Sequence, residues 1–291
     1  MTDTEFALVT KTWRGDRRAF ADLCESMDRH MPGTLHYVLH ERRDRDLFAH
    51  YASEQRRLMT TDELLPKLRG FGAFGRRLWH RRPAYLVRGW IYQQLAKLAF
   101  VATMRERAAV LVDSDAVLVA PIAADHVFAN GKVRFFRDPG APSGPPGQGG
   151  KWHDVAARAL GLTPRGYSGA DYITNPLVWS PAVVRVLLQR IEGNGHADWT
   201  LPLIRPVRFS ECVLYGMFCD HVDGPHRDEV SPVSKPIGHI SWGYDLLTPA
   251  GVRAFAASVG DRPAVLIQSN LGLTDPARRA ILHQVSQHVA A

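Results

Sequence analysis

One hexapeptide constrains the chain more than any other: Val110-Leu111-Val112-Asp113-Ser114-Asp115. A short aliphatic run bounded by polar residues reads as a strand buried on both faces, the kind found in parallel sheets under crossover helices. Phe6-Ala7-Leu8-Val9-Thr10 is a second such run. Asp16 to Met31 follows it with Phe20, Leu23, Cys24 and Met27 at helical spacing, and Pro32-Gly33 stops that helix. Leu35 to Leu39 is a further strand, so the chain opens β-α-β.

Tyr85 to Met104 predicts a helix with Trp90, Leu95, Leu98 and Val101 toward the core and Gln93, Gln94 and Lys97 elsewhere. Gly70 to Arg82 reads as a basic loop or irregular insertion. Helices are predicted over His153–Leu160, Pro181–Glu192, Phe209–Phe218, Leu246–Ser258 and Pro276–Val289. Extended segments are predicted over Val117–Pro121, Ile173–Trp179 and Ala264–Gln268. The Pro- and Gly-rich stretch 138–151 reads as a mobile loop beside an active site, with a domain linker as the alternative. The expectation is one Rossmann-like α/β domain over 1–291, with a mostly parallel central sheet flanked by helices. Its halves would be 1–120 and 121–291.

No apolar run reaches the ~18 residues of a membrane span. Met1 to Glu5 has no basic region of the secretory kind, and Cys24, Cys212 and Cys219 form no CxxC. Both point to thiols in a reducing cytoplasm. The net charge of +7 lies wholly in residues 1–110, which hold 20 Lys and Arg against 13 Asp and Glu. Residues 66–107 alone carry ten basic residues and one acid, Glu106. Arginines there suit phosphate or carboxylate recognition, or an anionic membrane rim.

Asp113 and Asp115 stand just past the end of a buried strand, where open α/β sheets bind ligands. Two carboxylates converging there need a compensating charge. A divalent cation supplies it, taking one or two carboxylates plus substrate phosphates. A polar turn is the plainer alternative.

With these residues in view, the sequence resembles the GT-A type glycosyltransferases, in particular uncharacterised bacterial families of that fold. Four pieces carry the resemblance in order: the strand Phe6–Thr10 continuing into Lys11-Thr12-Trp13, the segment Trp90 to Leu98, Asp113-Ser114-Asp115 as the Asp-x-Asp signature, and Phe209 to Gly216 as the Ser-Glu run. Cys212 departs from the aromatic residue common at its position. The resemblance spans roughly residues 5–270 and implies a GT-A-like fold with a nucleotide- and metal-binding first half and an acceptor-binding second half.

It further implies Mn²⁺ or Mg²⁺ on Asp113 and Asp115 against a nucleoside-diphosphate-sugar of UDP or GDP type, with a saccharide or natural product as acceptor. Thr10, Lys11 and Asp16 would hold the nucleoside, and Lys97 would reach the phosphates or pair with Asp113. Glu211 would be the general base of an inverting transfer to a hydroxyl or amine; its plainer role is capping the helix it begins. His239 would be a third metal ligand, in competition with His221 and His226, and Trp242 would stack on a sugar. Asp171, Tyr172 and Asn175 would line the acceptor site, and Trp152 and His153 would close over the donor.

Two other readings remain at this point. Asp113-Ser114-Asp115-Ala116-Val117 also fits the nucleophile motif of haloacid dehalogenase-like phosphohydrolases. Against it, about 110 residues precede the motif and no later acidic pair is evident. The second reading is nucleic-acid binding through Arg76, Arg77, Arg81 and Arg82, interleaved with Phe74, Trp79 and His80.

Overall fold

The N-terminal apolar run forms β1 (Phe6–Lys11), and its crossover helix is α1 (Arg17–His30). The helix buries Phe20, Leu23, Cys24 and Met27, as their spacing requires. Strand β2 (His36–His40) lies parallel to β1 with Leu8 opposite His36. The computed structural model describes residues 5–73, 76–81, 85–144, 147–206 and 208–290.

A strand without a sequence signal, β3 (Arg56–Thr60), adds parallel to β2. Its Arg-rich start masks it, because Arg56 is buried by pairing rather than by apolarity. The guanidinium donates to His36 Nδ1 at 3.1 Å and to Asp28 at 2.6 Å.

The described residues between 69 and 88 are strands, not the basic loop or irregular insertion expected over Gly70 to Arg82. They form three antiparallel strands, β4 (Arg69–Ala73), β5 (Arg76–Arg81) and β6 (Tyr85–Arg88). Phe74 and Arg82 fall outside the described residues. The helix expected from Tyr85 begins only at α2 (Gly89–Val101). Its faces are the reverse of the expectation at one end. Trp90 is exposed, whereas Gln94 and Lys97 are buried. That polar face turns inward because it meets other polar groups there, not solvent.

Strand β7 (Ala108–Leu111) is completely buried and lies parallel to β1, with β8 (Ala116–Leu118) following after a turn. Further along come β9 (Lys132–Phe136) and α3 (Gly149–Leu160). Of the stretch 138–151 expected as a loop, Asp138–Pro139 pairs antiparallel with Ala170–Asp171 and Gly149 to Lys151 open α3, while residues 145 and 146 lie outside the described residues. Gly144, at φ +67°, lies so close to Trp152 that a Cβ there would sit 2.2 Å from the indole. Strand β10 (Leu177–Trp179) runs antiparallel to β7, which makes the central sheet β10-β7-β1-β2-β3. The architecture is mixed α/β, with a mainly parallel central sheet and flanking helices.

Helix α4 (Pro181–Gly193) and helix α5 (Glu211–His221) both start on a serine cap. Ser180 accepts from the Val183 amide and Ser210 from the Val213 amide. Strand β11 (Val230–Val233) lies parallel to β9. The last third adds β12 (Gly238–Ile240), α6 (Pro249–Ala257), β13 (Ala264–Leu266) and α7 (Asp275–Ala290). Strand β13 joins β12 to β8. Beneath α6 and α7 lies a second apolar cluster that includes Val117, Phe255, Val265 and Ile281. Among the described residues, no helix is long and apolar enough to cross a membrane.

His36 shows how the sheet handles a buried base. Its Nδ1 accepts from Arg56, so Nε2–H is the donor to Thr10 Oγ1 at 3.0 Å. Burial first, and the Arg56 charge second, lower its pKa to about 3. The unfolded chain therefore takes up a proton near pH 6.5 that the folded chain refuses. This contribution is whole above pH 6.5 and is lost progressively between 6.5 and 3. From pH 7 to pH 5 we expect a loss on the order of 2 kcal/mol, at ~1.4 kcal/mol per pH unit below 6.5. Urea unfolding at both pH values measures it, and His36→Gln should flatten the dependence. An equal slope in that variant would assign the loss to other groups.

Candidate active site

Strand β7 delivers the acidic turn to a pocket of about 760 Å³. Asp113 and Asp115 line it together with Lys97 and Trp90 from α2, Glu211 from α5 and Trp242 beyond β12. The turn is held from several sides. The Asp113 amide donates to Asn175 Oδ1 at 3.3 Å, and Ser114 Oγ donates to Asp16 at 2.8 Å. The Ser269 amide donates to Asp115 Oδ2 at 3.0 Å, and Arg278 donates to the Asp115 carbonyl at 2.9 Å.

Lys97 Nζ stands between two carboxylates, at 2.6 Å from Asp113 Oδ1 and 3.3 Å from Glu211 Oε1. Burial opposes its charge, yet Asp113 and Glu211 outweigh burial and hold the ammonium above the usual lysine range. Glu211 is pushed up by burial, against the pull of Lys97. Its own amide donates to Gln94 Oε1 at 2.9 Å, which explains the buried glutamine of α2. Asp115 is raised to about 6 by burial and then by the charge of Asp113.

The pocket therefore gathers three carboxylates, Asp113, Asp115 and Glu211, around one ammonium. Negative charge is in excess, and Asp113 and Asp115 are hard oxygen donors. The pair fits a divalent cation of the Mg²⁺ or Mn²⁺ kind. Among the described residues, no group of three or more His, Cys, Asp or Glu is arranged to hold a metal ion. Such a cation would need further ligands from water or from a bound phosphate.

Several expected residues are elsewhere. His239 does not join the carboxylates. Side chains alternate along β12, and Ile240 faces the pocket, so His239 faces away and stacks on Phe255 with ring centroids 4.9 Å apart. His226 stacks on Phe218, and His221 lies near the Tyr172 hydroxyl at 3.4 Å, so neither competes for the site. Thr10 is fully buried, with its hydroxyl taken by His36. Lys11 donates to the Thr12 carbonyl at 2.6 Å and is lowered to about 8 by burial, although Glu41, Asp44 and Asp16 pull the other way. Thr10, Lys11 and Asp16 lie off the pocket wall, though Asp16 touches the acidic turn through Ser114.

Of the acceptor candidates, Asn175 lines the pocket, whereas Asp171 and Tyr172 turn to Ser143 and Asp220. Trp152 lines the pocket opposite Trp90, with ring centroids 5.9 Å apart. His153 is fully buried against Ser168. Ser269 and Gln268 are pocket residues that the sequence did not single out. Ser269 acts through its backbone amide, which any residue type would supply, so no side-chain signal marks it.

A family model described as a family of unknown function, DUF6492, matches residues 7–230. No curated protein matches the chain. Among solved structures, the galactosyltransferase LgtC in complex with donor and acceptor sugar analogs is similar over 97% of this chain and 95% of its own. The sequence identity is 10% and the TM-score 0.49.

Proposed function

We propose that this chain, which belongs to the DUF6492 family, is a metal-dependent glycosyltransferase of GT-A-like fold. It would transfer a sugar from a nucleoside-diphosphate-sugar to a hydroxyl or amine. One observation carries the reading. Three of the motif segments that resemble such enzymes, far apart in sequence, meet in one pocket: Lys97 contacts both Asp113 and Glu211.

In this reading Asp113 and Asp115 are the residues that would hold Mn²⁺ or Mg²⁺. The bound cation would supply charge neutralisation of the departing nucleoside diphosphate. Lys97 orients Asp113 through their contact and places a second positive charge beside it. Glu211 takes the proton of the acceptor hydroxyl as its oxygen attacks the anomeric carbon. Burial favours that uptake by raising the carboxyl pKa. Trp242, exposed on the pocket wall, offers a flat face to a sugar ring.

Calorimetry with UDP and with GDP, each with and without Mn²⁺, tests the reading. Metal-dependent binding of one of them is expected, and no binding of either would overturn it. For the base, Glu211→Gln is expected to keep donor affinity and to lose about 10²- to 10⁴-fold in transfer rate. Full turnover in that variant would remove Glu211 from the chemistry.

A further inference from the structure

The sheet β4-β5-β6 has two unlike faces. On the inner face Trp79 and Val87 are buried, and Trp79 stacks on Tyr92 of α2 with centroids 4.0 Å apart and planes at 11°. The strand register puts Arg69, Phe71, Leu78, His80, Leu86 and Arg88 on the outer face. Sheets wetted on one side ordinarily turn polar residues outward. Here the centre is apolar: Leu86 is 57% and Phe71 37% exposed. Arg69 and Arg88 flank them, both exposed. Residues 67–88 contain seven basic residues and no acid.

We propose that this outer face docks on an anionic lipid surface. Apolar side chains flanked by the exposed Arg69 and Arg88 meet both demands of such a surface: burial below the headgroups, and attraction to their negative charge. A second copy of this chain does not suit the face, since a two-fold contact would set arginines against arginines with no acid between. Single-stranded nucleic acid suits it less well: Phe71 and His80 could stack on a base, but Leu78 and Leu86, the latter the most exposed of the face's apolar residues, could not. The inner face of the sheet rests on the start of α2, whose Trp90 lines the pocket. Docking is independent of the transfer reading, because it is measured without nucleotide.

The test is sedimentation of the full chain with vesicles. Equal parts of phosphatidylglycerol and phosphatidylcholine should carry the protein down at low salt, and phosphatidylcholine alone should not. Arg69→Glu with Arg88→Glu should weaken binding about fivefold or more per site. Phe71→Ser with Leu86→Ser should weaken it by about tenfold or more. Circular dichroism checks that both double variants fold. As a second readout, Leu86→Cys takes a polarity-sensitive dye, since Cys24, Cys212 and Cys219 are buried. The dye emission should shift to the blue on the anionic vesicles. No binding to anionic vesicles, equal binding to both vesicle types, undiminished binding by the folded double variants, or no dye shift would overturn the proposal. So would single-stranded RNA displacing the vesicles, which would make the face a nucleic-acid surface.

Discussion

Replacing Lys97 with methionine is expected to destabilise the folded chain by about 3 kcal/mol, the lower end of the cost of removing one partner from a buried ion pair. The side chain of Lys97 is 6% exposed and that of Glu211 9%, so their pair is nearly dry. Asp113 is 40% exposed, and water relieves part of its loss, which sets the lower figure. Methionine fills the space without the charge and leaves Glu211 buried beside Asp113 with no counter-ion. Urea unfolding of Lys97→Met measures the effect. Combining it with Glu211→Gln should cost less than the sum of the single changes, because the second removes the charge that the first left unpaired. Strict additivity would mean that the two side chains do not act on one another.

Asp115→Asn is expected to abolish metal-dependent nucleotide binding and to lower transfer about a thousandfold or more. The figure follows from the several kcal/mol of charge stabilisation a bound cation supplies. Asparagine keeps the side-chain oxygen that accepts from the Ser269 amide, so the turn should persist. Calorimetry with Mn²⁺ and the preferred nucleotide, beside an unfolding curve, separates the two effects. Unchanged metal-dependent binding would take Asp115 out of the metal site while leaving Glu211 to its own test.

The sheet was legible wherever apolarity alone buries a strand. The runs at Phe6 and Val110 announce β1 and β7 because no polar side chain interrupts them, and the run at Leu35 announces β2 through its apolar majority despite His36. Strand β3 escaped because Arg56 is buried by charge pairing, which composition does not display. The strands from Arg69 to Arg88 escaped because their glycines and arginines imitate a loop. Their regularity comes from Trp79 lying on Tyr92, a contact visible only in three dimensions.

Within the site, Asp113, Asp115, Lys97 and Glu211 were legible through their spacing and motif context, and the structure brings them to one pocket. His239 shows the limit of such reasoning. A late histidine looks like a ligand until the alternation of a three-residue strand turns it toward Phe255. Thr10 illustrates the same limit, since its partner His36 comes from a neighbouring strand.

The turn at Asp113–Asp115 is secured by partners 98, 62, 154 and 163 residues away: Asp16, Asn175, Ser269 and Arg278. Ties of such long sequence separation form late in folding, after the local helices and hairpins. During synthesis, β1, α1 and β7 leave the ribosome well before Ser269 and Arg278 exist. The growing chain therefore holds its acidic turn by Asp16 and then Asn175, and lacks the ties from Ser269 and Arg278 until those residues have been made. A fragment ending before residue 269 would accordingly carry the motif with two of its four ties, and Asp115 would lose both of its own.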